Sequence, residues 1–271
     1  MSMRPSLRLL CAVLAAVAGL SGCSSAEKKP ETPPAPPPSS ALPQPQPTPP
    51  AERARLHTDL AAGYYERGQM DVALDELKVA VTLEPNYAPA YNVYGLVYAV
   101  LGEDRKAEEN FERALSLTPN DSDIHHNWGW YLCQHKRERE ALEQFEIAVR
   151  NPLYKTPEIA LVNAGRCAIT LGEMRVADGY FRRALAAKPG YELAGYGLAL
   201  IAYKEARYAD ARTWMKGVMQ TSNPQPEVLY LGMCVERKLG DRQAELSYVS
   251  QMRNRYPGAA ETKAITSEGC E

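Results

Sequence analysis

Cysteine and histidine are the side chains of this sequence best suited to covalent or metal chemistry, and it has six of the first and four of the second. Cys23 closes the run Leu20-Ser21-Gly22-Cys23, which follows an apolar stretch from Leu9 to Leu20 and the arginines Arg4 and Arg8. A short positive region ahead of an apolar run too short to cross a bilayer reads as a bacterial secretory signal peptide. An apolar residue, a small residue, Gly and Cys in that order resemble a lipobox, so residues 1–22 are expected to be cut away and Cys23 to carry acyl chains. Each buried methylene then adds about 0.8 kcal/mol of membrane affinity, and the mature chain is anchored to lipid without spanning it. Ser24, where an Asp usually means inner-membrane retention in lipoproteins of this type, points to the periplasmic face of the outer membrane.

The segment HHNWGWYLCQH sets His125, His126, Cys133 and His135 close together and invites a metal reading, since zinc takes nitrogen and sulfur ligands. Helical spacing argues against it. His126 and Cys133 lie two turns apart, His125 points toward the core of its own helix pair, and His135 lies near a turn, so the side chains do not converge. No metal is expected. Export implies an oxidising compartment. Cys11 leaves with the signal and Cys23 is acylated, which leaves Cys133, Cys167, Cys234 and Cys270. An even number permits two bridges in any of three connectivities; buried free thiols are the alternative.

These side chains depend on the elements that hold them. Residues 23–51 are dominated by Pro, Ser, Ala and Gln, as in PETPPAPPPSSALPQPQPTPP, and are too poor in apolar residues to form a core. They read as an extended tether of ~3.1 Å per residue that holds the folded part away from the lipid. A different pattern begins after the tether and is clearest from Ala88 to Asp121. Counting Ala88 as position 1, Tyr91, Tyr94, Gly95 and Tyr98 fall at positions 4, 7, 8 and 11, and Ala107, Phe111, Ala114 and Pro119 at 20, 24, 27 and 32. That is the tetratricopeptide signature of 34 residues, a helical hairpin whose small residues let two backbones approach. Leu101-Gly102 turns the chain between the helices and Pro119 ends the second.

The same positions recur from Ala54 (Leu60, Ala61, Tyr64, Ala73, Leu77, Ala80), Ser122 (Trp128, Gly129, Ala141, Phe145), Glu158 (Gly165, Ala177, Phe181), Glu192 (Ala199, Ala211, Met215) and Gln225 (Gly232, Ala244, Tyr248). The segment NPLYKTP is two residues longer than the period, which predicts a locally wider stack. The expected fold is therefore all-α. Six hairpins over residues 52–258, about twelve helices, wind as a right-handed superhelix, and residues 259–271 form a short cap or frayed tail.

In that geometry the first helix of each hairpin lines the concave face through positions 2, 5, 9, 12 and 13. The residues nominated for a protein-binding groove are Tyr65, Asn92, Leu96, His126, Trp130, Arg166, Tyr196 and Tyr203. Aromatic rings with polar tips and a guanidinium suit an extended peptide or a partner helix. By the same count Cys133 and Cys167 occupy positions 12 and 10 of consecutive first helices and can approach each other; Cys270 can reach Cys234 and tie down the tail.

Charge supports no other reading. The chain carries 31 basic and 33 acidic side chains, a formal net charge of −2 that becomes −4 once Arg4 and Arg8 leave. A mildly acidic balance gives no support for nucleic-acid binding. The run from Lys136 to Glu140 reads as solvated surface. There is no Gly-rich phosphate loop, no HExxH and no nucleophile elbow, so neither a cofactor nor enzymatic activity is expected.

A chain built almost entirely of such repeats, with NYAPAYN from Asn86 to Asn92 and NWGWYLC from Asn127 to Cys133, resembles the type IV pilus biogenesis and stability lipoprotein family. The second segment is similar to that family's N-N-Y-G-x-F-L-C, with His126 and Trp128 in place of Asn and Tyr. The resemblance implies a pilotin that binds the pilus secretin, escorts it to the outer membrane and promotes its assembly into a ring. A different periplasmic adaptor, one that scaffolds cell-wall enzymes or serves outer-membrane protein assembly, is the alternative.

Overall fold

The computed structural model describes residues 48–220, 223–265 and 270; the signal, Cys23 and most of the tether lie outside them. The chain runs through α1 (Pro50–Glu66), α2 (Met70–Leu83), α3 (Ala88–Val100), α4 (Asp104–Leu117), α5 (Ser122–Gln134) and α6 (Glu138–Arg150). It continues through α7 (Pro157–Thr170), α8 (Met174–Ala187), α9 (Glu192–Lys204), α10 (Tyr208–Val218), α11 (Pro226–Leu239), α12 (Arg242–Arg255) and a short α13 (Ala260–Ala264). Helices 1 to 12 form six hairpins, and the first starts at Pro50, inside the stretch read as tether. Proline suits a first helical turn, whose amides have no intrahelical acceptor.

Each hairpin closes on one small residue facing one large one. A Cβ built on Gly95 would meet the Phe111 ring at 2.8 Å, and one on Gly165 would meet Phe181 at 2.7 Å. Phe181 also fills the space beside Gly197 of the next hairpin, where a Cβ would run into the ring. One phenyl thus packs within its own repeat and against the following one. Phe111, Phe145 and Phe181 are wholly buried, as are Ala107, Ala114, Ala141, Ala177 and Ala184 around them.

The turn between the helices needs one left-handed residue. Gly102 supplies it at φ 72°, whereas the third and fifth hairpins use Lys136 at φ 60° and Ala206 at φ 58°. A side chain there carries a steric cost that glycine avoids.

The stack is curved, because each odd-numbered helix from α1 to α9 touches the next odd-numbered one, while no two even-numbered hairpin helices touch among the described residues. The touching row is the inner wall. Extra residues connect α6 to α7. They fold back on themselves, with the Leu153 amide donating to Asn151 Oδ1 at 2.9 Å and the Asn151 amide group donating to Ser122 Oγ at 3.2 Å. Tyr154 turns inward and is 8% exposed, and the flanking α5 and α7 come within 5.9 Å, Cα to Cα, at Cys133 and Cys167.

The two ends differ. Leu60, assigned to a packing position by its place in the repeat, is 49% exposed, and Leu56 beside it is 45% exposed, because among the described residues no hairpin precedes α1 to cover them. At the other end α13 packs on α11 and α12, so among the described residues after Pro257 this helix is a cap.

Candidate functional site

The inner wall is built from positions 2, 5, 9, 12 and 13 of the odd-numbered helices, and those positions separate into two layers. In α3 and α5, position 5 belongs to the stack itself. Asn92 is 8% exposed, and its Oδ1 accepts from Asn127 Nδ2 of the next repeat at 3.2 Å. His126 stands at the same position one repeat on. It meets Asn163 Nδ2 at 2.8 Å and the Tyr154 hydroxyl at 3.0 Å, with its ring 6.0 Å from that of Phe145. Burial pushes its pKa from 6.5 down to about 4, so the ring is neutral at physiological pH. Asn92 and His126, nominated for a ligand, instead join neighbouring repeats, since a buried polar group needs a partner.

Positions 9 and 12 form the outer layer and keep surface, and Tyr196, although it stands at position 5 of α9, is half-buried and joins them. Leu96 and Trp130 are half-buried against the central core, Tyr65 against the first hairpin's core, and Tyr196 and Tyr203 against that of α9 to α11. Burial raises the pKa of Tyr65, Tyr196 and Tyr203, so these rings stay neutral hydroxyl donors. Arg166 is exposed and lines, with Tyr196, Glu192 and Glu227, a cavity of about 20 Å³. That volume holds about one water, so the wall offers a face and not a small-molecule pocket here.

Three exposed apolar residues complete the face and were not nominated. Ile159 and Leu193 stand at position 2 of their helices and Val100 at position 13, exposed by 37%, 37% and 51%. Their places in the repeat were sufficient to find them. Asn127, Asn163 and Tyr154 were also missed; the signal for the two asparagines was an Asn at position 6 in consecutive repeats.

The histidines and cysteines are dispersed in the structure. His125 pairs with Gln144 Oε1 at 2.7 Å and the Pro119 carbonyl at 2.9 Å, and His135 with Asp104 at 3.0 Å. Cys133 is joined to Cys167, and Cys234 to Cys270. Among the described residues no group of three or more His, Cys, Asp and Glu could hold a metal ion.

Two tetratricopeptide repeat families match, one over residues 88–121 and the other over 127–192. The sequence is 26% identical over 217 residues to the type IV pilus assembly protein PilF of Pseudomonas aeruginosa, covering 80% of this chain and 86% of that protein. The crystal structure of PilW, described as a widely conserved type IV pilus biogenesis factor, is similar at a TM-score of 0.71 and 30% identity, over 78% of this chain and 97% of that one. The structure of Pseudomonas aeruginosa PilF is similar at a TM-score of 0.71 and 25% identity, over 81% of this chain and 99% of that one.

Proposed function

The chain belongs to the type IV pilus biogenesis family of PilW and PilF, and from that premise we propose that it is an outer-membrane pilotin that binds the pilus secretin and promotes its multimerisation. The observation that carries this reading is the inner wall. Leu96, Trp130, Tyr196 and Tyr203 give it half-buried apolar and aromatic side chains on α3, α5 and α9, with Val100, Ile159 and Leu193 exposed along it. Such a face suits one amphipathic or extended segment, anchored by aromatic side chains and oriented by a few hydrogen bonds. Arg166 adds one fixed positive charge.

Acyl chains on Cys23 would hold this face at the periplasmic side of the outer membrane, and the proline-rich tether would give it reach. Capture then gains from effective concentration, since bait and captured subunit share one surface and a tight site is not needed. The protein would act as a scaffold for subunits that meet on it, with no chemical step.

The test is a double variant, Leu96→Ala with Trp130→Ala, read by blotting membrane fractions for secretin multimers. Loss of two anchors is expected to weaken capture by roughly 30-fold or more and to deplete multimers while helicity stays unchanged. Normal multimers and normal pilus-dependent motility with that variant, or with the gene deleted, would refute the assignment. Cys23→Ser tests the anchor separately and should move the protein from the membrane fraction to the soluble one.

A further inference from the structure

The inner wall is open along five hairpins and closed at the sixth. Position 9 is occupied by Ala62, Leu96, Trp130, Arg166 and Leu200 in the first five, all half-buried or exposed, and by Met233 in the last, at 0% exposure. Position 13 follows the same rule, exposed in five hairpins and half-buried at Arg237. What differs is the end of the chain. Cys270 is bonded to Cys234 at position 10 of α11, its carbonyl accepts from the Tyr203 hydroxyl of α9, and its sulfur accepts from Arg237 Nη1 at 3.5 Å. Met233, Cys234, Cys270 and Ile265 form one apolar cluster with Tyr203 and Tyr230.

We propose that the described part of the chain's end, α13, Ile265 and Cys270, is an intramolecular occupant of the last stretch of the inner wall, held there by the Cys234–Cys270 bond and released when that bond opens. This regulates the face assigned above and rests on that assignment only for the identity of the competing partner. The surface beneath the segment continues the same wall, so an apolar partner segment running along α3 to α9 would extend onto Tyr203, Tyr230 and Met233 once the end is free. Opening requires a dithiol. It attacks one sulfur of the bond, is itself oxidised to a disulfide, and leaves Cys234 and Cys270 as two thiols, two electrons and two protons having passed. The Arg237 guanidinium favours this bond for exchange, because it stabilises a departing Cys270 thiolate. Cys167 has only the Glu138 carbonyl beside its sulfur, at 3.9 Å.

The test uses the mature chain and its Cys270→Ser variant, with hydrogen exchange read helix by helix and an anilinonaphthalene sulfonate dye as the probe of uncovered apolar surface. In the variant, amides of α11 and of the last turn of α9 should lose about tenfold protection, those of α7 should be unchanged, and dye fluorescence should rise severalfold. Equal protection of α11 and equal dye binding in the two proteins would overturn the proposal. Should the variant unfold as a whole, graded dithiol on the unmodified protein gives the answer: free thiols at Cys234 and Cys270 must appear before those at Cys133 and Cys167, together with the dye signal. The reverse order, or thiols without dye signal, counts against it. Titration with purified secretin then separates the two readings. Uncovering without a gain in secretin affinity leaves the occupant standing and removes the partner.

Discussion

The centre of the stack and its C-terminal end are each crossed by one disulfide, over sequence separations of 34 and 36 residues, yet the two bonds do different work. Cys133–Cys167 joins α5 and α7, which also share the His126–Asn163 contact, so it reinforces packing that exists without it. Cys234–Cys270 fastens a segment whose described helix is five residues long and has no buried residue. Loop-closure entropy ranks the two bonds as nearly equal. The surrounding packing does not, and it decides whether a broken bond weakens the whole rod or frees only its end.

Ways to break this contrast can be ordered by size. The largest effect is expected from Phe181→Ala, which removes the ring packed beside both Gly165 and Gly197 and should cost about 3–5 kcal/mol in denaturant unfolding. Replacing Cys133 and Cys167 together by Ala should follow, lowering stability by about 2–5 kcal/mol. Cys270→Ser is expected to shift the main unfolding transition much less, because the segment it frees is not needed to close the core. Equal shifts for the two bonds would erase the distinction. Gly197→Ala forces a methyl against the Phe181 ring and should cost about 1–3 kcal/mol.

His126 supplies a pH test of the centre alone. Its folded pKa is depressed to about 4 from 6.5, so the folded state favours the neutral ring. The contribution is present in full above pH 6.5 and is lost as pH falls from there toward 4. Thermal unfolding should show this slope in the parent and a shallower one in His126→Asn, with Cys270→Ser keeping the parent slope. Smallest of all, Ala206→Gly should gain about 0.5–1 kcal/mol by relieving the left-handed turn, provided the added chain freedom does not offset it.

Much of this architecture was legible in the sequence because a repeat states the same packing problem six times, and Gly95, Phe111 and Ala107 answer it with sizes that can be recognised in any order. Turn positions and helix pairing followed from the same register. What escaped were contacts between repeats. Asn92 and His126 occupy positions that face inward in a single hairpin, and only the stacked neighbour shows that Asn127 and Asn163 consume them. The insertion was opaque for a related reason: its length says nothing of Tyr154, which turns back and is buried. The end of the chain was read as cap or fray, since nothing local in Ala259 to Glu271 says what it lies on.

The paired polar groups at Asn92–Asn127 and His126–Asn163 have a consequence for how such a chain can evolve or be engineered. Apolar faces are interchangeable, but a buried amide set beside a neighbour that cannot answer it is left stranded, so these two seams act as addresses. A shuffled array that placed the second hairpin against the fifth would bring Asn92 beside Gly197, a residue with no side chain to reply, and the mismatch would be felt at the seam before any partner was met.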